Sequence, residues 1–436
     1  MKTLPLFLMA GLLSYIPLSS ATTYYVATTG NDSNAGTQTS PLRNIQKAAD
    51  LAKAGDTVYV KAGTYYEKVI VRNSGTADKR INFMPQPKHK VTVNANGKAM
   101  DYFQGVFTLS NVSYVNVSGF RLLNSKQFGA VAYKAHHINL KHNYIYNTRV
   151  SGLSAWSSQD VVLQGNEVEK AVNGGEQECI SVALSQRVKV LNNHVHHKGT
   201  GNNGGEGIDI KQGSSNVLVK GNYVHDLYNK VCLYIDAWDA HTHHITMDSN
   251  KVHNCYHDGI AMTSEKGGLL ENIIIQNNIS YNNYGNGLTI GAWGVSGYQR
   301  PLRNILVINN TFAHNGVKWG GGISISNPDI QNVVVRNNIL SQNKSFQLND
   351  EVGNGKTMLE FNVIDGFRGY DTPETYGLNP VKGSASFVNA AQGDYHLLGD
   401  SVAIDSAIAT RAPLRDFDNK LRPVNNKWDM GAFEYQ

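Results

Sequence analysis

The sequence predicts an all-β solenoid, a parallel β-helix, and three observations carry that prediction. An asparagine followed by alternating apolar residues recurs at Asn143, Asn166, Asn193, Asn222, Asn250, Asn278, Asn310, Asn338 and Asn362, at spacings of 23, 27, 29, 28, 28, 32, 28 and 24 residues. A short alternating run precedes the asparagine, as in Val188-Lys189-Val190 and Ile273-Ile274-Ile275. Another follows it, as in Gly207-Ile208-Asp209-Ile210 and Gly259-Ile260-Ala261-Met262. Three short strands per repeat of roughly 24–30 residues describe one coil of a β-helix. A leucine-rich repeat lacks its leucine pattern here, and a propeller blade needs ~40 residues.

The recurrent asparagine fits a turn position that tolerates positive φ, its amide bonding the asparagine of the next coil. At the front, Ser40-Pro41 opens a helical stretch with Ser40 as N-cap, Pro41 at N1, and Ile45, Ala48, Ala49 and Ala52 as the apolar face. This helix is expected to cover the open edge of the first coil. After Asp365 the repeat dissolves into a Gly- and Pro-bearing tail. The chain divides into residues 1–21, a cap with first coils over 22–100, central coils over 101–365, and a tail over 366–436.

The composition excludes little else. The 436 residues are 41% hydrophobic and 17% charged, as in globular proteins. A formal charge of +5, from 39 basic and 34 acidic residues, is too weak to argue for nucleic acid. Lys2, the apolar run Leu4 to Leu18 and Ser19-Ser20-Ala21 read as a secretory signal peptide. The mature protein is expected to be secreted or periplasmic, free of the membrane, and monomeric.

Coil geometry sorts the side chains. In the strand that begins Gly-Ile, the second and fourth positions are apolar and face the core. The third position reads Ser154, Ser181, Asp209, Tyr234, Ala261, Thr289, Ser324 down successive coils. The fifth reads Trp156, Ala183, Lys211, Asp236, Thr263, Gly291, Ser326. Adjacent coils lie ~4.8 Å apart, so these columns are contiguous. Glu178 and Glu206 share the position before the strand on adjacent coils. Carboxylates stacked at ~5 Å repel unless a cation or proton lies between them. Lys211 and Asp236 are expected to pair across coils. Trp156, Tyr234, Trp238, Trp293, Tyr298 and Trp319 flank this acidic strip, as suits a sugar with apolar C–H faces.

The same ruler treats the remaining candidates. Cys179 and Cys232 are two coils apart, ~9.6 Å, and Cys255 is expected at a different corner from Cys232, so three unpaired thiols are predicted. His196, His225 and His253 share a register and are expected to stack as neutral rings at a turn. His241, His243 and His244 crowd one loop and do not suggest a metal site.

The chain resembles known families. Tyr24-Tyr25-Val26, the stretch Gly30 to Gly36, Ala54-Gly55-Asp56-Thr57-Val58 and Lys61-Ala62-Gly63-Thr64-Tyr65 look like the opening of secreted family 9 pectate lyases, and Asp429 to Glu434 resembles their ending. That resemblance implies a right-handed parallel β-helix of the pectate lyase-like superfamily. Members bind calcium through aspartates and use a lysine base. Here Glu206 falls at one calcium position, Asn229-Lys230 replaces an expected Asp-Asp pair, and Thr289 stands at the lysine's place. The segment Glu206 to Lys211 resembles family 6 polysaccharide lyases, in which a calcium-binding glutamate precedes the base lysine by five residues. The arginine those lyases carry on the next coil is replaced by Asp236. Leu233-Tyr234-Ile235-Asp236 with Met262 to Gly268 resembles a β-helical β-xylosidase family, where an aspartate works with a glutamate on the next coil.

Three readings stand on these residues. The first is a retaining glycoside hydrolase with Asp236 as nucleophile, kept ionised by Lys211, and Glu265 as acid/base. The second is a polysaccharide lyase with Lys211 as base and Ca²⁺ held by Glu178, Glu206 and Asp209. The third is a non-catalytic sugar-binding or surface β-helix. Tyr234, Trp238, Asp239, Trp293 and Trp156 are the expected substrate-binding residues, and a polysaccharide or oligosaccharide the expected partner.

Overall fold

The computed structural model describes residues 21–353, 355–369 and 373–436. The proposed signal peptide lies, but for its last residue, outside the described residues. Three parallel sheets of 13, 11 and 13 strands run the length of the molecule. One coil takes a strand from each, as Leu233–Asp236, Thr242–Asp248 and Lys251–His253 do. The architecture is the parallel β-helix that the repeat predicts, right-handed as the resemblance implies.

Period-two alternation builds the core. Ile180, Ile208, Leu233, Ile260, Leu288 and Ile323 stand in register down one sheet, all fully buried. Val168, Val195, Val224 and Val252 do the same in the third sheet. Each such side chain contributes about 1.5–3 kcal/mol on burial. Like-on-like stacking lets every coil bury its face against the next.

The asparagine ladder forms as expected. From Asn143 to Asn338 each side-chain amide donates to the Oδ1 of the asparagine one coil on, at 2.9–3.1 Å, and Asn362 receives the last of these bonds. The positive φ falls one residue earlier than the sequence suggests. His142, Gly165, Asn192, Gly221, Ser249, Asn277, Asn309, Asn337 and Phe361 adopt it. The ladder residue itself points inward, where its amide satisfies a buried turn. A shorter ladder, unforeseen, joins Asn283, Asn315, Asn343 and Gln347.

The cysteine expectation is corrected. Cys232 and Cys255 form a disulfide, with Cα atoms 5.8 Å apart, and Cys179 is the free, buried thiol. Cys232 opens a coil and Cys255 closes the same coil, so the two are one rise apart. Cys255 occupies the inward turn column that continues as Asn283, whose Oδ1 accepts its N–H. An inward turn is invisible to strand periodicity.

The ends are sealed differently from each other. The helix spans Ile45–Leu51 and buries Ile45, Ala48 and Ala49 as predicted. Its N-cap is Asn44, not Ser40. Leu42 bridges to Val26, and Ser40 and Pro41 lie outside the helix. The Glu67 carboxylate caps the helix instead, accepting the N–H groups of Ile45 and Gln46 at 2.9 Å each. The tail runs back along the third sheet. Tyr395 and Phe433 pack on Ile279, Tyr281 and Ala313, while Asn309 and Asn337 donate to tail carbonyls.

Candidate active site

The acidic strip lines a cavity of about 490 Å³ on the outer face of the 11-stranded sheet. Asp209 and Lys211 project from the strand Ile208–Lys211, and Tyr234 and Asp236 from Leu233–Asp236, in register as the columns predict. Glu265 comes from the turn after Ile260–Thr263. Glu178 and Glu206 precede their strands on adjacent coils. Trp156 and Trp238 complete the walls. A smaller cavity of about 250 Å³ adjoins it, sharing Glu206, Lys230, Tyr234 and Glu265 and adding Trp293.

Lysines neutralise the glutamate stack. Lys211 Nζ donates to Glu178 Oε1 at 2.6 Å and lies 3.7 Å from Asp209 Oδ2. Lys230 Nζ lies 3.3 Å from Glu206 Oε1. Ser181 Oγ donates to the other Glu178 oxygen at 2.7 Å. Burial alone would lower the Lys211 pKa, but Glu178 and then Asp209 overturn that and hold it above its ordinary value. Burial, then Glu178, holds Asp209 well above the usual carboxylate range, and burial, then Glu178, raises Glu206.

The expected Lys211–Asp236 pair is therefore corrected. Register places the two side by side, but Lys211 bonds Glu178. Asp236 Oδ1 instead accepts the N–H of Trp238 at 2.7 Å and of Glu265 at 3.3 Å. Burial, reinforced by the Glu265 carboxylate, lifts Asp236 to about 7 against those two backbone bonds. Glu265 Oε1 accepts the Tyr234 hydroxyl, and Trp293 Nε1 donates to the Tyr234 oxygen at 3.0 Å. Burial, then Glu265, raises the Tyr234 phenol, which keeps its proton.

Two expected positions fall outside the chemistry. Asp239 is 44% exposed at the rim, 3.3 Å from Lys266. Trp319 packs edge-on against His257 rather than in the cleft. Lys230 is the site residue that sequence reasoning missed. Its signal is present in the sequence, because it stands where the lyase resemblance implies a calcium aspartate.

The donor set does not fit the Ca²⁺ that the resemblance implies. Calcium takes 6–8 oxygens at roughly 2.3–2.6 Å. Glu178 is engaged by Lys211 and Ser181, and Glu206 faces Lys230. Asp209 Oδ1 is the cluster's buried oxygen without a partner. An ion would have to displace both ammonium groups.

Comparison places the fold in a class. The model described as Pel9A-like, right-handed beta helix region matches residues 24–173, and that described as right-handed beta helix region matches 175–296 and 238–389. The chain is a right-handed β-helix protein of the pectate lyase-like superfamily. Among curated proteins it is 26% identical over 385 residues to the uncharacterized protein YwoF of Bacillus subtilis strain 168, covering 78% of each chain. It is 43% identical over 63 residues to pectate lyase PEL9 of Emericella nidulans, 14% of this chain and 15% of that one. Among solved structures, the complex of XylC with xylose superposes with a TM-score of 0.63 at 13% identity, covering 94% of this chain and 98% of that one. Pectate lyase Pel9A gives 0.52 at 15% identity, covering 96% and 98%. At such identities these two likenesses concern the fold.

Proposed function

We propose that the protein is an exported glycoside hydrolase acting on uncharged glycans, with Asp236 and Glu265 as its working carboxyl pair. The observation that carries this is the unequal environment of the two. Asp236 is lifted to about 7 by burial and by Glu265, so it holds a proton near neutrality. Glu265 instead accepts the Tyr234 hydroxyl. Two carboxyls divided in this way are what glycoside cleavage needs. Asp236 delivers its proton to the departing glycosidic oxygen. Glu265 stabilises or attacks the positive anomeric carbon. This exchanges the roles expected from the sequence, because Lys211, bonded to Glu178, lowers Asp236 too little to offset burial and Glu265.

Two further features support hydrolysis over the lyase reading. A lyase base must shed its proton, and Lys211 is clamped as an ammonium by Glu178 and Asp209. Even with Asp209 and Asp236 set aside as raised carboxyls, the cavity is lined by the four glutamates Glu176, Glu178, Glu206 and Glu265 against the two ammonium groups of Lys211 and Lys230. That excess repels a polyuronate and tolerates a neutral chain. Trp156 and Trp238 offer ring faces to pyranose C–H groups. The structural neighbour solved with xylose is consistent with a neutral sugar.

The test is reducing-end release from a panel of neutral oligosaccharides by wild type, Asp236→Asn and Glu265→Gln. Each variant is expected to lose roughly 10²–10⁴ in kcat while melting as a folded protein. Full activity in both variants overturns the assignment.

A further inference from the structure

The third sheet carries, on its outward face, a second gathering of titratable side chains that the proposed hydrolase does not use. His194 and His196 flank the buried Val195 on one strand, so both rings leave the same face. Glu167 stands opposite His194 on the preceding coil, and His225 opposite His196 on the following one. One ligand atom each from Glu167, His194 and His196 lies within 4.8 Å of the others. Glu167 Oε1 is 3.3 Å from His196 Nε2, and His194 Nε2 is 2.8 Å from His225 Nε2.

The rings are also held from behind. His225 Nδ1 bonds Asp226 Oδ2 at 2.6 Å, and His196 Nδ1 bonds His197 Nδ1 at 2.7 Å. Metal-ligating imidazoles are oriented by such bonds at their second nitrogen. His196 and His225 stack 5.4 Å apart at 8°, and His225 and His253 5.0 Å apart at 2°, which keeps the column in place. These rings lie on strands rather than at the turn expected from sequence.

We propose that Glu167, His194 and His196 chelate a divalent transition-metal ion of the zinc class, with His225 as the fourth ligand. Imidazole and carboxylate donors in a four-coordinate set suit zinc and its first-row neighbours, whereas Ca²⁺ and Mg²⁺ ask for oxygen throughout. Ligation through Nε2 of both rings requires the proton between His194 and His225 to move to His194 Nδ1, the tautomer that frees both Nε2 lone pairs. Glu167 is 45% exposed, so solvent reaches the site.

The experiment titrates tag-free, chelator-stripped protein with Zn²⁺ by calorimetry and with Co²⁺ by visible absorption. Wild type is expected to bind one equivalent with a four-coordinate Co²⁺ spectrum. His194→Ala/His196→Ala is expected to lose that equivalent, and Asp226→Asn to weaken it roughly 10–100-fold. Melting of each metal-free variant checks its fold, and His194→Asn and Glu167→Gln carry the test if the double variant does not fold. Two results overturn the proposal. One is wild type that binds no Zn²⁺. The other is a folded double variant that binds as wild type does, which would put the ion elsewhere, such as at His241 and His243 beside Glu271.

Discussion

Tyr234 and Glu265 lie 31 residues apart on successive coils, and the phenol of the first donates to the carboxylate of the second. The Trp293 indole N–H fixes the phenol from the other side. This relay positions the Glu265 carboxyl group. Tyr234→Phe removes one bond to Glu265 and is expected to lower kcat about 10–100-fold, with KM nearly unchanged. Steady-state kinetics on the best neutral substrate checks the split.

The proton on Asp236 sets the pH profile. A general acid at about 7 works while protonated, so the rate is expected to fall as pH rises through about 7. The same shift acts on stability. The folded value lies above the unfolded one, so the stabilising contribution is whole below the unfolded carboxylate range and lost as pH rises through about 7. Asp236→Asn removes the buried charge. It is expected to melt higher than wild type above neutrality and alike in acid, as thermal scans across pH would read.

Lys211 is structural in this account. Truncating it to alanine leaves Glu178 and Asp209 buried without their cation, at a cost of about 3 kcal/mol. Lys211→Met combined with Glu178→Gln is expected to recover most of that loss. Denaturant titration of the three proteins tests the coupling.

The ladder amides hold the turns. Asn250→Ala strands the N–H of Asn222 and the carbonyl of Val219, and is expected to cost about 3 kcal/mol. Gln331→Ala, on an exposed strand position, is expected to stay within about 0.5 kcal/mol of wild type. Urea midpoints compare them.

The solenoid is legible in the sequence because burial in a strand has period two and the recurrent asparagine marks each coil. Columns such as Ile208, Leu233 and Ile260 follow from spacing alone, and so does the acidic strip. What escapes the sequence depends on directions that spacing does not encode. Cys255 turns inward at a corner and meets Cys232. The helix takes its cap from Glu67, far along the chain from Ser40. Register puts Lys211 beside Asp236, but side-chain rotation gives it to Glu178. Lys230 is visible as a departure from a motif, and its meaning emerges once Glu206 is seen to need a cation.

The most direct test of the central claim is the chemistry of the product. Wild-type protein is incubated with neutral glycans and with uronate polymers, with chelator or with added Ca²⁺. The account predicts new reducing ends from a neutral glycan, undiminished by chelator, and no unsaturated product from any polymer. Calcium-dependent absorbance at the unsaturated-uronate band, abolished by Lys211→Ala in a folded variant, would contradict it.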